Sequence, residues 1–291
     1  MARTKRLILP LVLMLSFFAC KGKKDTPSPE AEMAYQAEAP VEDSISVQET
    51  DALQSYAYSW NESDDMPEVV IIIDDFGNSA GQLLDDFAAL PPEIVFSVLP
   101  DLPHTKTAAN AAIKGGHEVL IHIPMAAENS SINPGQRYIQ VDMDYAQIKE
   151  YISEFIKQLP MAVGANNHMG SATTANLSTM NQVLSILKAE KLLFIDSATT
   201  SQSAVYTAGQ QQGVFTAKRD IFLDVPDVSD ETLAQKIQDL GKYQGRKEPV
   251  IIISHCHNRA KLEAMHKFIN QITAMGIRIV ALRDAFPQAV S

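Results

Sequence analysis

An α/β fold, a distorted parallel (β/α) barrel of about seven or eight βα units, is the architecture this 291-residue sequence predicts. Three observations lead there. Short runs of Val, Ile and Leu are apolar at nearly every residue, as strands covered on both faces must be. Amphipathic stretches of helical period separate them. Ionisable residues recur where the apolar runs end, and parallel barrels gather their chemistry at the C-terminal ends of their strands.

The elements follow in order. A strand at 69–73 ends on Asp74 and Asp75, and a helical pattern covers 79–90. A strand at 94–99, a helix at 105–114 and a strand at 118–121 come next, with His122 directly after. A helix at 145–158 precedes a strand at 162–165, and His168 stands a short turn beyond it. A helix at 175–189 leads to a strand at 192–195 that ends on Asp196. A strand at 214–216 and a helix at 230–242 lead to a strand at 250–253, followed by His255. A helix at 259–275 and a strand at 278–281 complete the set. That many units in about 225 residues suit a barrel better than a doubly wound sheet.

Charge divides the chain. Residues 1–24 hold six bases and no acid, residues 25–65 hold eleven acids and no base, and the formal net charge is −11. No basic stripe is present to neutralise phosphates, so no nucleic-acid partner is expected. Two cysteines, Cys20 and Cys256, exclude a disulfide scaffold.

Arg3, Lys5 and Arg6 precede the apolar run 7–19. The run is too short for a membrane-spanning helix and suits the core of a secretory signal. It ends in Phe17-Phe18-Ala19-Cys20, which resembles a bacterial lipobox, with Phe17 where Leu is usual. This implies a lipoprotein-type signal at 1–20, lipidation at Cys20 and a lipid-anchored protein of the bacterial cell envelope. Lys21, rather than Asp, favours the outer membrane or its periplasmic face. Residues 21–65 are acidic and poor in aliphatics, so they read as a disordered tether. A coil of that length spans roughly 35–40 Å. Tyr56, Tyr58 and Trp60 are candidates for docking onto the domain at 66–291.

Several apparent motifs carry no chemistry. Asp75-Phe76-Gly77 lacks the other kinase signatures, and no dinucleotide fingerprint or G-x-S-x-G elbow occurs. His117 and His122 sit five apart in a β-rich run, where they point to opposite faces, so they are not a zinc-protease pair. His117 lies at the start of its strand and reads as structural. Asp75, His122 and His168 offer the three N/O ligands that an open zinc site requires. Asp74 would then be free as a base and His255 as a proton donor. Spacing alone leaves these roles open, since any two of the histidines serve equally well as structural residues.

Ile71-Ile72-Ile73-Asp74-Asp75-Phe76-Gly77, Phe96-Ser97-Val98-Leu99-Pro100 and Gly116-His117-Glu118-Val119-Leu120-Ile121-His122-Ile123-Pro124-Met125 resemble the divergent polysaccharide deacetylase family. So do Gly164-Ala165-Asn166-Asn167-His168-Met169-Gly170-Ser171, Phe194-Ile195-Asp196-Ser197 and Arg219-Asp220-Ile221-Phe222-Leu223-Asp224. The resemblance covers roughly 68–287. It implies a distorted barrel of the glycoside hydrolase/deacetylase type and a divalent metal, zinc first among them. Asp75 and His122 match metal ligands, Asp74 the base and His255 the acid. The parent pattern's second strand histidine falls at Ala126, and His168 takes its place as ligand. Ala126-Ala127 and His255-Cys256-His257 depart from the family's usual residues.

Asn166, Asn167, Asp196 and Asp220 are candidates for substrate contacts or for orienting the primary groups. The reading that results is a metal-dependent hydrolase removing acetyl groups from an envelope or extracellular polysaccharide, with a carbohydrate and, through the lipid, a membrane as partners. The rivals are a non-catalytic glycan-binding or scaffold lipoprotein on a degenerate barrel, and a glycosidase using Asp74 and Asp224.

Overall fold

A computed structural model describes residues 53–56, 58 and 66–287. Eight strands form one parallel sheet: β1 (Val69–Phe76), β2 (Val95–Val98), β3 (Val119–Met125), β4 (Gly164–Met169), β5 (Leu193–Asp196), β6 (Thr216–Lys218), β7 (Ile221–Phe222) and β8 (Val250–His255). Their order is β6-β5-β4-β3-β2-β1-β8-β7. The edge strands β6 and β7 are separated in the chain only by Arg219 and Asp220. Arg219 N–H donates to Asp196 O at 2.9 Å, and Asp220 N–H donates to Ile251 O at 2.8 Å. One stretch of chain thus passes from pairing with β5 to pairing with β8, which curls the sheet into a distorted barrel.

Helices alternate with the strands: α1 (Gln82–Phe87), α2 (Thr105–Gly115), α3 (Tyr145–Gln158), α4 (Ser171–Ala175), α5 (Leu177–Ala189), α6 (Val205–Gln212), α7 (Asp230–Leu240), α8 (Arg259–Ala274) and α9 (Leu282–Ala285). Side-chain caps fix the starts of the long ones. Asp144 and Gln147 form a reciprocal capping box on α3, and Asn176, Ser229 and Asn258 cap α5, α7 and α8. Alternation along each strand divides the core in two. Val69, Ile71 and Ile73 pack under the helices, whereas Val70 and Ile72 join Val95, Leu120, Leu193, Ile195, Ile251 and Ile253 inside the barrel. Among the described residues no helix is long and apolar enough to cross a membrane.

Three expectations are corrected. The strand read at 278–281 is a single bridge, Ile279 to Val69. β1 already pairs with β2 and β8 on its two edges, so this segment only caps its beginning. The strand read at 214–216 starts later, at Thr216, because Gly213 ends α6 in a left-handed turn and Val214 N–H still bonds back to Gly209 O. His168 lies within β4, not beyond it.

Leu53–Ser55 forms a 3-10 turn against α7 and α8. Leu53 is buried, Tyr56 and Tyr58 pack on the same core, and the Tyr58 hydroxyl donates to Leu53 O at 3.2 Å. These residues dock on the domain although they fall within the stretch read as tether. Trp60, the signal segment 1–20 with Cys20, and the remainder of 21–65 lie outside the described residues.

Candidate metal centre at the mouth of the barrel

The strand parity that fills the barrel interior also supplies the site. Asp74 continues the inward set of β1, His122 follows Leu120 in β3, and His255 follows Ile253 in β8. In β4, Ala165 packs under the helices, so Asn166 and His168 face inward. Asp75 should turn outward after Asp74. Instead its φ is 72°, and the pairing of β1 with β2 slips between Ile73 and Phe76. This bulge re-aims the second carboxylate, so both reach one nitrogen: His122 Nε2 lies 3.7 Å from Asp74 Oδ2 and 3.2 Å from Asp75 Oδ1. Aspartate tolerates the left-handed region better than most residues. Past His168, Gly170 turns the chain at φ 93°, where a Cβ would lie 2.9 Å from the Met125 Cβ.

Asn166, fully buried, organises the interior groups. Its Nδ2 donates to Asp74 Oδ1 at 2.8 Å and to Ser197 Oγ at 3.3 Å. Its Oδ1 accepts from Ser97 Oγ at 2.6 Å and from His122 Nδ1 at 2.8 Å. An amide oxygen only accepts, so His122 Nδ1 carries a proton, and in the neutral form that a ligand needs the lone pair lies on Nε2, facing the carboxylates.

The donor set fits a divalent cation. Asp75 Oδ1 is buried and receives no hydrogen bond, yet it lies 3.2 Å from His122 Nε2 and 3.0 Å from His168 Nδ1. Ligand atoms of Asp75, His122 and His168 all fall within 4.8 Å of one another. One carboxylate oxygen and two imidazole nitrogens is the three-ligand N/O set of a catalytic zinc site. The two carboxylates make the local field negative, which favours positive charge between these groups. Burial works against a charged His122, but Asp74 and then Asp75 hold its pKa above the ordinary imidazole value. Burial alone would raise the Asp75 carboxyl, but His168, His122 and His257 hold it well below the usual range.

His255 forms a second unit with Asp224. The Asp224 carboxylate lies 2.9 Å from His255 Nδ1 and accepts from the His255 backbone N–H at 3.1 Å. Lys261 Nζ is 2.8 Å from the same carboxylate. Burial opposes the imidazolium, but the charge and hydrogen bond of Asp224 prevail and raise the His255 pKa to about 9. Asp224 is held far below the usual carboxylate range against its own burial, by His255 first and then Lys261. A carboxylate so committed is a poor general acid, which weighs against the Asp74/Asp224 glycosidase.

His257 is the site residue that sequence reasoning missed: its Nε2 lies 2.7 Å from Asp75 Oδ2. The signal was its spacing. The inward parity of Ile253 and His255 continues at 257, and the His255 and His257 rings stack at 5.1 Å. Cys256 points the other way, and burial pushes its thiol pKa well up.

The remaining candidates hold the backbone around the centre, and Asp220 also lines the cavity beside it. Asn167 donates to Met169 O at 2.6 Å and accepts from Ser197 N–H at 2.8 Å, so both ends of its amide hold backbone. Asp196 shares the parity of helix-facing Phe194, and it accepts from Ala198 N–H at 2.8 Å, bracing a turn. Asp220 does bind an arginine, but at the barrel seam: it accepts from Arg246 Nη1 at 2.8 Å and from Ile251 N–H at 2.9 Å, near the start of β8. His117 sits against the carbonyls of Ile94 and Ala88 at 2.9 and 3.1 Å and stacks on Phe96, away from the site. A cavity of about 690 Å³ with mixed polar and apolar walls opens next to Met169, the residue after His168, and reaches Glu128, Thr199, Lys218 and Asp220.

A sequence model of the family described as divergent polysaccharide deacetylase matches residues 71–286. The chain is 39% identical over 166 residues to the uncharacterized protein YibQ of Escherichia coli K12, covering 54% of this chain and 49% of that one. It is 33% identical over 159 residues to an uncharacterized protein of Haemophilus influenzae, covering 54% and 55%. The chain therefore spans about half the length of these curated relatives. The crystal structure of an uncharacterized protein from Agrobacterium tumefaciens C58 has the same fold, with a TM-score of 0.67 at 21% identity over 80% of this chain and 94% of that one.

Proposed function

The chain belongs to the divergent polysaccharide deacetylase family, and from that premise we propose that it is a metal-dependent hydrolase that removes acetyl groups from an envelope or extracellular polysaccharide. The observation that carries this reading is the unpartnered, buried Asp75 Oδ1 facing His122 Nε2 and His168 Nδ1. Asp75, His122 and His168 would hold the ion, with zinc first among the candidates. When bound there, a divalent ion lowers the pKa of a coordinated water and polarises the acetyl carbonyl.

The chain's own groups divide the proton work. Asn166 occupies Asp74 Oδ1, which leaves Oδ2 facing the site as the base that takes the proton from the attacking water. The water oxygen adds to the acetyl carbon, and the bond from that carbon to the sugar nitrogen or oxygen breaks. His255, kept protonated to about pH 9 by Asp224, returns a proton to the departing amine or alkoxide. Acetate and a free sugar amine or hydroxyl result. The cavity beside Met169 would supply room for flanking sugar units.

The cellular setting belongs to the same proposal: a signal cleaved before Cys20, a lipid on Cys20 and an acidic tether presenting the barrel to envelope glycan. Mass spectrometry of the mature N-terminus tests the lipid, since an unlipidated terminus elsewhere would remove the anchor. The rival reading, a glycan-binding lipoprotein without catalysis, draws on Ala126, where the parent pattern has its second strand histidine. Zinc content and acetate release measured on one preparation separate the two, because the binding module predicts no release.

A further inference from the structure

We propose that His257 is a positioning residue for Asp75, and that Lys261 fixes the tautomer that lets it serve. The inference rests on the reading of Asp75 as a metal ligand and adds two residues to it.

A ligating carboxylate has two oxygens, and something must decide which one faces the ion. Asp75 Oδ1 points at His122 and His168, while Oδ2 lies 2.7 Å from His257 Nε2. Oδ2 only accepts at the pH where Asp75 is ionised, so His257 must carry a proton on Nε2. Lys261 Nζ stands 3.2 Å from His257 Nδ1. An ammonium has no lone pair to offer, so Nδ1 must be the acceptor. Both contacts thus require the same neutral, Nε2-protonated ring.

The ring is held from a third side by its stack on His255, at 5.1 Å and 21°. Lys261 is itself fixed. Its backbone N–H donates to Asn258 Oδ1 at 3.0 Å in the first turn of α8, and its ammonium is 2.8 Å from Asp224 Oδ2. A continuous chain of contacts, Asp75–His257–Lys261–Asp224–His255, therefore joins the ligand set to the proton donor. With Oδ2 committed to His257, Asp75 presents one oxygen to the ion, already oriented. Partners of this kind typically govern metal affinity by about 10–100-fold.

The test is zinc affinity of the full domain, read by competition with a chromophoric chelator. The His257 side chain is 38% exposed, so its replacement leaves the core intact; thermal unfolding in chelator checks this. His257→Ala should bind zinc about 10–100-fold more weakly than wild type. His257→Gln, whose amide N–H can reach the same oxygen, should recover most of the loss. Lys261→Met should weaken binding, and adding it to His257→Ala should cost nothing further. Unchanged affinity in His257→Ala overturns the inference. Complete loss of zinc there also overturns it, by making His257 a ligand. His257→Gln no better than His257→Ala overturns it as well, because the donated bond would then not be what matters. A wild-type chain that takes up no zinc overturns the underlying site together with this inference, whereas a zinc-binding wild type with an unaffected His257→Ala overturns this inference alone.

Discussion

Asp74 and Asp75 are consecutive residues of one strand, yet both carboxylates approach the same nitrogen, His122 Nε2, at 3.7 and 3.2 Å. The slipped pairing of β1 and the left-handed backbone of Asp75 make this possible. Their roles should separate on mutation. Asp74→Asn should keep zinc and lose about 10²–10⁴-fold in turnover, the usual contribution of a general base. Asp75→Asn should lose zinc first. Calorimetric zinc titration beside acetate release distinguishes the pair, and a fully active Asp74→Asn would remove Asp74 from the mechanism.

Among the described residues, His168 supplies one of the three ligand atoms in the cluster. An open three-ligand site has none to spare. His168→Ala should therefore lose most of its bound zinc in elemental analysis, and full-affinity zinc in that variant would refute the ligand assignment. His117→Ala should retain the metal, because its ring touches Ile94, Ala88 and Phe96 instead.

The His255 pKa near 9 depends on Asp224. The alkaline limb of kcat/KM should consequently lie near pH 9 and move down toward the ordinary imidazole value, roughly 6.5, in Asp224→Asn. A limb that stays in place would show that another group donates the proton. Stability follows the same sign. The folded pKa of His255 lies above its unfolded value, so the stabilisation it contributes is complete below about pH 6.5 and is lost as pH rises through about 9.

Much of this was legible in the sequence because it depends on strand parity. Apolar runs placed β1, β2, β3, β5 and β8, and inward parity carries His122, Asn166, His168 and His255 to one place. What was not legible arises from departures from a regular strand. Asp75 could be named as a ligand from its place at the end of the apolar run of β1 and from the family pattern, but how it gets there could not: a regular β1 sends it outward, and only the bulge brings it in. Asp220 lines the cavity beside Met169 and also braces the barrel seam, a second task that comes from the handover of pairing between β5 and β8 and that no sequence pattern announces. Asp196 was raised by its place at the end of the apolar run 192–195, whereas the parity of Phe194 turns it from the interior. His257 continues the inward set as the second residue past His255, but it lies beyond the apolar run of β8, where strand parity is no longer expected to hold.

Asn166 hydrogen-bonds Asp74, His122, Ser97 and Ser197 from a fully buried position. Asn166→Ala leaves buried polar groups without partners, at about 1–3 kcal/mol of stability. It also frees the His122 ring, which should weaken zinc by about 10–100-fold. Chemical denaturation and zinc competition measure the two effects, and unchanged values in both would contradict the hub assignment.

Leu53 is almost fully buried where the N-terminal segment meets α7 and α8. Leu53→Ala should cost about 2 kcal/mol in denaturant unfolding and leave zinc affinity unchanged. A variant of wild-type stability would show that the segment does not dock in solution.

Metal-dependent deacetylation stands or falls on acetate release by the zinc-loaded protein. N- and O-acetylated envelope glycans are assayed separately, before and after chelation and again after zinc is restored. Release from at least one substrate is expected, abolished by the chelator, restored by zinc and lost in Asp74→Asn. A zinc-loaded, folded wild type that releases no acetate from any of them would contradict it and leave the non-catalytic glycan-binding protein in its place.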